Sequence, residues 1–220
     1  MFHVLCFMNI VILGPQGSGK DTQTEMLAEK FSLERVNMGN FLREVAKLDT
    51  PLGKEIYQYQ NVAGAMVPSR ILKEVLGIKL ASFAREQNII FEGVPRIMEQ
   101  AEYFDKALLE SGRHLDKIVY INIPEEETLR RISKRWMCQK CKRILIKGKD
   151  IQSEEKKCPD CAGEIMQRID DTKEVIMKRL KVFQNETIPV IEHYKKQGKL
   201  IEVDGCQTIE KVFEDILEKL

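Results

Sequence analysis

The chain has no long apolar run. No stretch approaches the roughly 20 residues that a membrane helix needs, so no membrane partner is expected. It also has no excess of either charge. Thirty-five Lys and Arg stand against 34 Asp and Glu, a formal net charge of +1, which leaves no global field to attract nucleic acid. Histidine is scarce: His3, His114 and His193 are scattered, with no spacing that would pair them as ligands or as a catalytic couple. Repeats and low-complexity tracts are missing. The opening residues 1–7 are mostly apolar but too short and uncharged for a secretory signal. Met8, just before the first apolar run, is a second candidate start.

What is present fits a folded domain. The chain has 220 residues, 43% hydrophobic and 31% charged, enough for one α/β core or one core with inserted subdomains. The apolar run from Asn9 to Leu13 predicts a strand, followed by a glycine-rich turn and a helix over 20–31. Helical spacing returns at 41–45 and is interrupted at Pro51 and Gly53. Residues 66–69 read as extended, with Ser69 a candidate cap for a helix over 70–86. Strands are predicted at 88–91, 117–123 and 200–203, and helices at 101–109, 125–135 and 207–220. A long helix over 170–194 is expected to bend at Pro189. Strands alternating with helices imply a parallel sheet covered on both faces.

The first chemical signal is Gly14-Pro15-Gln16-Gly17-Ser18-Gly19-Lys20. Three glycines let the backbone turn tightly and expose its N–H groups, and the following helix N-terminus adds a positive dipole end. Lys20 would reach outer phosphates as a point charge. The GxxxxGK spacing between a strand and a helix therefore predicts a phosphate-binding P-loop. Asp21 stands where the general motif has Ser or Thr, and Thr22 supplies the nearest hydroxyl. An acid in the first turn suits the helix dipole but would repel a polyphosphate if it pointed inward, so its side chain is expected to point away.

The second signal is Cys138-x-x-Cys141 and Cys158-x-x-Cys161, two pairs separated by 16 residues. Each pair can set two thiolates on one turn, and together they make a tetrahedral S₄ site suited to Zn²⁺. Unmetallated or redox-active thiols are the alternative. Without an export signal, paired CxxC argues for metal over disulfide and for a reducing, cytoplasmic compartment. Cys6 and Cys206 read as ordinary buried thiols. The lysines of 140–157 could suggest nucleic acid, but no aromatics are interleaved and Glu154 and Glu155 break the charge, so no such partner is expected.

Along nearly its whole length the sequence resembles the adenylate kinase family. Residues 14–23, GPQGSGKDTQ, are similar to that family's P-loop, with Asp21 in place of a glycine. Residues 37–43, NMGNFLR, resemble its STGDxLR, residues 66–68 the segment closing its monophosphate subdomain, and residues 92–100 its DGFPRxxxQ. Residues 168–171, RIDD, with Arg179 beyond, resemble its RxDD and the following helix arginine.

The resemblance implies reversible, Mg²⁺-dependent phosphoryl transfer from ATP to AMP, giving ADP, by a monomer. It implies a P-loop three-layer fold with a parallel sheet flanked by helices. A monophosphate-binding insertion at 37–67 and a zinc-ribbon lid at 131–169 would be set into that fold. ATP would be held by Gly14, Gly17, Ser18, Gly19, Lys20, Asp21, Thr22, Arg131 and Arg135. AMP would be held by Met38, Arg43, Val67, Gly93, Arg96, Gln100, Arg168 and Arg179, with Gln100 reading the adenine. Lys20, Arg96, Arg135, Arg168 and Arg179 would neutralise the transferring phosphoryl group. Cys138, Cys141, Cys158 and Cys161 would hold a structural Zn²⁺ that stiffens the lid. Asp170 and Asp171 fit either a hinge latch for arginines or a helix cap with a first-turn acid. Trp136 fits lid packing better than adenine stacking.

Three departures bear on specificity and turnover. Met38 replaces a threonine that contacts adenine in the family. Asn40 and Glu92 replace aspartates that order water around the phosphate-bound Mg²⁺. Asp21 could return charge to that place. A kinase for another nucleoside monophosphate and a catalytically impaired nucleotide-binding regulator are the competing readings.

Overall fold

The computed structural model describes residues 8–62, 67–141, 143–152, 154–167 and 171–220. His3, Cys6, Met66, Arg168 and Asp170 lie outside the described residues. In chain order the elements are β1 (Asn9–Leu13), α1 (Lys20–Phe31), β2 (Glu34–Asn37), α2 (Met38–Val45), α3 (Pro51–Tyr57) and α4 (Ser69–Ala81). There follow β3 (Ile89–Glu92), α5 (Met98–Glu110), β4 (Lys117–Asn122), α6 (Glu125–Ser133), β5 (Arg135–Cys138), β6 (Ile144–Ile146) and β7 (Ile165–Met166). The chain closes with α7 (Lys173–Val182), α8 (Ile188–Lys196), β8 (Leu200–Asp204) and α9 (Ile209–Lys219).

Five strands form one parallel sheet in the order β2-β3-β1-β4-β8. β1 and β3 are buried throughout, as continuous apolar runs in a doubly covered sheet should be. Successive residues of β1 face opposite layers. Ile10 and Ile12 join Leu27 of α1 and Val212 and Ile216 of α9 in one apolar cluster. Val11 and Leu13 join Phe91, Phe104 and Tyr194 in the larger cluster on the other face, with residues of α4, α5 and α8. From β1 the chain runs out to the edge strand β2, and β4 later adds on the opposite side of β1. The C-terminal end of β1 is therefore a topological switch point, where such sheets open a crevice for ligands.

Local chemistry sets several element ends. Asn37 Oδ1 accepts from the Asn40 N–H at 2.9 Å and starts α2 three residues earlier than predicted. Thr50 Oγ1 accepts from the Gly53 N–H at 3.0 Å, and Pro51 opens α3, so the residue that reads as an interruption is a helix start. Ser69 is the first residue of α4 and not its cap; its hydroxyl donates to Glu99 Oε2 at 2.6 Å. The predicted helix over 170–194 is two helices joined by a wide π-type turn over 183–187. Pro189 has no N–H to continue the α ladder and sits in the first turn of α8.

Residues 135–166 form a separate three-stranded antiparallel sheet, ordered β6-β5-β7. Its own small cluster comprises Leu145, Ile151, Ile165, Cys138 and Cys158, with Trp136 and Cys161 packed against it. Lys147 Nζ lies 3.8 Å from the Trp136 ring centre, so Trp136 packs within this sheet.

Candidate active site and cysteine cluster

The glycine-rich loop leaves β1 at the switch point and enters α1. Gly17 and Gly19 have φ of 81° and 90°, in the left-handed region that glycine tolerates without strain. Gly14 is needed for a different reason. A Cβ there would lie 2.5 Å from Ser18 Oγ and 2.8 Å from the Ile121 carbonyl oxygen. Ser18 itself is buried, and its hydroxyl has no protein partner among the described residues. The loop thus wraps a small polar concavity at the helix N-terminus, with Lys20 at its rim.

Asp21 does not point away, contrary to expectation. Its Oδ1 is 3.5 Å from Lys20 Nζ, and its carboxyl is within hydrogen-bonding reach of Glu92 at the end of β3. Glu92 is 6% exposed. Burial first, then the hydrogen bond and charge of Asp21, push the Glu92 carboxyl up to about 7. Burial also acts to raise Asp21, but Lys20 and the hydrogen bond to Glu92 outweigh it and leave Asp21 lowered. Of the two, Glu92 therefore holds a proton more readily and Asp21 less readily than an ordinary carboxyl. Asn37 hydrogen-bonds the far side of Glu92. Two hard oxygen donors beside a phosphate loop are a donor set that fits Mg²⁺.

Cations gather around this pair. Arg135 acts on Asp21, and Glu92, Arg43 and Arg179 all act on Arg96. Arg96 is exposed at the surface, yet desolvation by the atoms packed around its guanidinium lowers it, with Glu92 opposing and the two neighbouring arginines adding to the effect. Gly93, at φ 83°, turns the chain so that Arg96 Nε donates to the Gly93 carbonyl at 2.9 Å. Gln100 is 4% exposed and accepts from the Arg96 N–H at 2.8 Å. Arg43 Nη2 donates to Asn40 Oδ1. Arg131 reaches back to the loop, donating to the carbonyls of Gly17 at 3.2 Å and Gly205 at 2.7 Å.

The four sulfurs of Cys138, Cys141, Cys158 and Cys161 lie within 4.8 Å of one another. Sγ of Cys138 is 3.5 Å from that of Cys161, and Sγ of Cys141 is 3.7 Å from that of Cys158. A tetrahedron with Zn–S bonds of about 2.3 Å has edges of roughly 3.8 Å, so the cage fits Zn²⁺ with no open position. The Cys141 N–H points at Cys138 Sγ at 3.4 Å. A Cβ on Gly163 would sit 2.6 Å from Lys140 Cβ and 2.9 Å from Cys138 Sγ, so only glycine passes there without displacement.

The adenylate kinase family profile matches residues 12–199. The adenylate kinase of Methanothrix thermoacetophila is 39% identical over 216 residues, 97% of this chain and 98% of that protein. Those of Dehalococcoides mccartyi and Archaeoglobus fulgidus are 37% and 35% identical, covering 96% and 97% of this chain and 97% and 99% of theirs. The chain belongs to the adenylate kinase family. It is a nucleoside-monophosphate kinase on a P-loop α/β fold.

Within the kinase, Asp171 adopts the latch arrangement. Arg135 Nε donates to its Oδ2 at 2.9 Å, and a second guanidinium nitrogen donates to Oδ1. Both side chains are buried, at 0% exposure for Asp171 and 14% for Arg135, and α7 is capped by Thr172 instead. Gln16 bridges this pair to a further arginine. Its Nε2 donates to Asp171 Oδ1 at 3.1 Å, and its Oε1 accepts from Arg179 at 3.3 Å. Gln16 reads in sequence only as a variable position of the loop, and no local signal points to its bridging role. Glu127 is the other unforeseen residue. It holds Arg130 and Arg131 from one turn earlier on α6, and its carboxyl is held at about 2 by the Arg130 hydrogen bond and then that of Arg131, against burial.

Met38 is 1% exposed and packs into the core with Leu42 and Val45. Val67 is buried in the same cluster, whereas Arg43, Thr22 and Arg179 are exposed. Cys206 is exposed, where the sequence suggests a buried thiol. Among the described residues no helix is long and apolar enough to cross a membrane.

Proposed function

We propose that this adenylate kinase transfers the terminal phosphoryl group of ATP to AMP through the residues gathered at the end of β1 and β3. The supporting observation is that Lys20 and Arg135 act on Asp21, and that Glu92 acts on Arg96, which Arg43 and Arg179 also neighbour. Backbone N–H groups of residues 14–20 and Lys20 cradle the ATP phosphates. Thr22 stands beside them, and Arg131 flanks the same loop. Arg43 and Arg96 hold the AMP phosphate, with Met38, Val67, Gly93 and Gln100 around the nucleotide. Arg135 and Arg179 complete the charge around the in-line transition state, as does Arg168 by its place in the family pattern. Mg²⁺ bound with ATP supplies further neutralisation of the phosphate oxygens, and Asp21 and Glu92 would hold it. No side-chain base is required, because the AMP phosphate oxygen is already a nucleophile.

In this reading residues 37–67 and 131–169 are insertions that close over AMP and ATP. The second is stiffened by a structural Zn²⁺ on Cys138, Cys141, Cys158 and Cys161. The enzyme works as a cytoplasmic monomer. The test is ADP formation from Mg·ATP with AMP, GMP, CMP and UMP in turn. Turnover restricted to AMP is expected. Preference for another base would move the specificity assignment to Met38, and absence of turnover in folded, zinc-loaded protein would defeat the residue assignments.

A further inference from the structure

Gln16 stands inside the glycine-rich loop, in the turn closed by the Ser18 N–H on the Pro15 carbonyl at 3.2 Å. The left-handed residue of that turn is Gly17, at φ 81°, so the backbone makes no demand for glutamine at position 16. What glutamine brings is its side chain, and both poles of the amide are engaged. Nε2 donates to Asp171 Oδ1 at 3.1 Å, and Oε1 accepts from Arg179 Nη1 at 3.3 Å. Asp171 Oδ1 accepts from Arg135 Nη2 as well, and Arg135 Nε donates to Oδ2 at 2.9 Å. A continuous hydrogen-bonded relay thus runs Arg135–Asp171–Gln16–Arg179. Its members come from the first residue of β5, the segment before α7, the loop and the body of α7.

An amide suits this place because it offers a donor to the carboxylate and an acceptor to the guanidinium at once. A carboxylate at position 16 would meet Asp171 as a like charge, and an apolar or cationic side chain would let go of Arg179. Arg179 is exposed on α7, and a long exposed side chain has much rotamer entropy to lose before it can act. The bond to Gln16 narrows its range and keeps its charge near Arg96, on which it acts. Phosphoryl transfer depends on cations aimed in advance. We propose that Gln16 is a positioning residue for the transfer. It ties two arginines from separate elements to the loop that cradles the phosphates, so that Arg135 and Arg179 are aimed together. The inference rests on the active-site reading above and adds the residue that fixes where two of its arginines point. Gln16 itself touches no reacting atom in this role.

The test is the first-turnover rate of ADP formation in zinc-loaded protein, read by rapid quench at saturating Mg·ATP and AMP, so that motions after the chemistry do not mask it. Gln16→Met keeps the length and removes both hydrogen bonds. Gln16→Glu keeps the acceptor and sets an acid against Asp171. Each should slow the first turnover by about tenfold. In Gln16→Met the dissociation constants for ATP and AMP should stay within about twofold of wild type, and the thermal midpoint within about 2 °C. In an Arg179→Ala background, Gln16→Met should cost about threefold or less, because one of the two arginines it aims is gone. An unchanged first turnover in either variant, or a full tenfold loss again in the Arg179→Ala background, overturns the proposal. A slowed turnover accompanied by a lowered thermal midpoint and weaker binding of both nucleotides makes Gln16 a merely structural residue and overturns it too. Absence of ADP from the wild type would instead sink the active-site reading beneath it.

Discussion

Removing metal from the cysteine cluster should unfold the small sheet of residues 135–166 and leave the five-stranded core standing. The apolar content of that sheet is slight: Leu145, Ile151 and Ile165 are its fully buried aliphatic side chains, at 0%, 3% and 4% exposure. At about 1.5–3 kcal/mol each they contribute roughly 5–9 kcal/mol. A closed zinc–thiolate site contributes on the order of 10 kcal/mol or more, so the metal is the larger part of what holds this unit. The cluster around it shares no residue with the two core clusters. The chain's single tryptophan makes the event visible, because Trp136 lies in β5 under Lys147. Chelation, or Cys158→Ser, should shift Trp136 emission to the red and raise its accessibility to quenchers. All the described helices lie outside residues 135–166, so the helical circular dichroism signal and its thermal midpoint should change little. Unchanged Trp136 emission in protein shown to be free of zinc would refute the reasoning. So would loss of the helical signal together with the tryptophan change.

Asp171→Asn removes the charge from a buried bidentate pair and should cost about 3 kcal/mol in urea denaturation, with a fall in kcat as Arg135 loses its aim; a loss below about 1 kcal/mol would contradict this. Glu92 gives a pH dependence. A carboxyl raised from 4.5 to about 7 binds its proton more tightly in the folded state, so stability in Mg²⁺-free buffer should fall as pH rises through that window and level off above it. Glu92→Gln should flatten the profile and gain on the order of 2–3 kcal/mol at pH 8, less whatever Asp21 returns, as read by denaturation at pH 5 and pH 8. Ala162 has φ 53°, a left-handed conformation that costs an L-residue about 1 kcal/mol. Ala162→Gly should therefore raise the denaturant midpoint reported by Trp136, and a lowered midpoint would count against strain there.

The parts of the fold legible in sequence are those whose residues are buried on both sides. β1, β3 and β4 are contiguous apolar or near-apolar runs, whereas β8, the other edge strand, is legible through Ile201 and Val203 alternating with exposed residues, and each of the four lies within about one residue of its predicted span. β2 escaped because it is an edge strand whose sequence, Glu-Arg-Val-Asn, buries only Val36. β5, β6 and β7 escaped because they are two to four residues long and are organised by thiolates, not by an apolar face. At the site, the motif spacings located the glycine-rich turn between β1 and α1 and the cysteine cage. They did not disclose the direction of Asp21, which is set by Glu92 some 70 positions away, nor the link that Gln16 makes between Asp171 and Arg179. Those are tertiary contacts between side chains whose identities are unremarkable alone. Gly163 carries a similar lesson, since its need for a missing Cβ appears only when the sulfurs are in place.

The two chain ends of the small sheet are tied to each other, with Gln167 Nε2 donating to the Ser133 carbonyl at 3.0 Å. A unit that enters and leaves the core at one point, with its own apolar cluster and its own cross-link, is a cassette. Its sequence can drift, lengthen or be exchanged with no register to preserve in the parallel sheet beneath. A short polar turn spliced between residues 133 and 167 should leave the core folded while removing Arg135 from the site, and the accessory sheet beyond Arg135 can be tuned for temperature or metal supply.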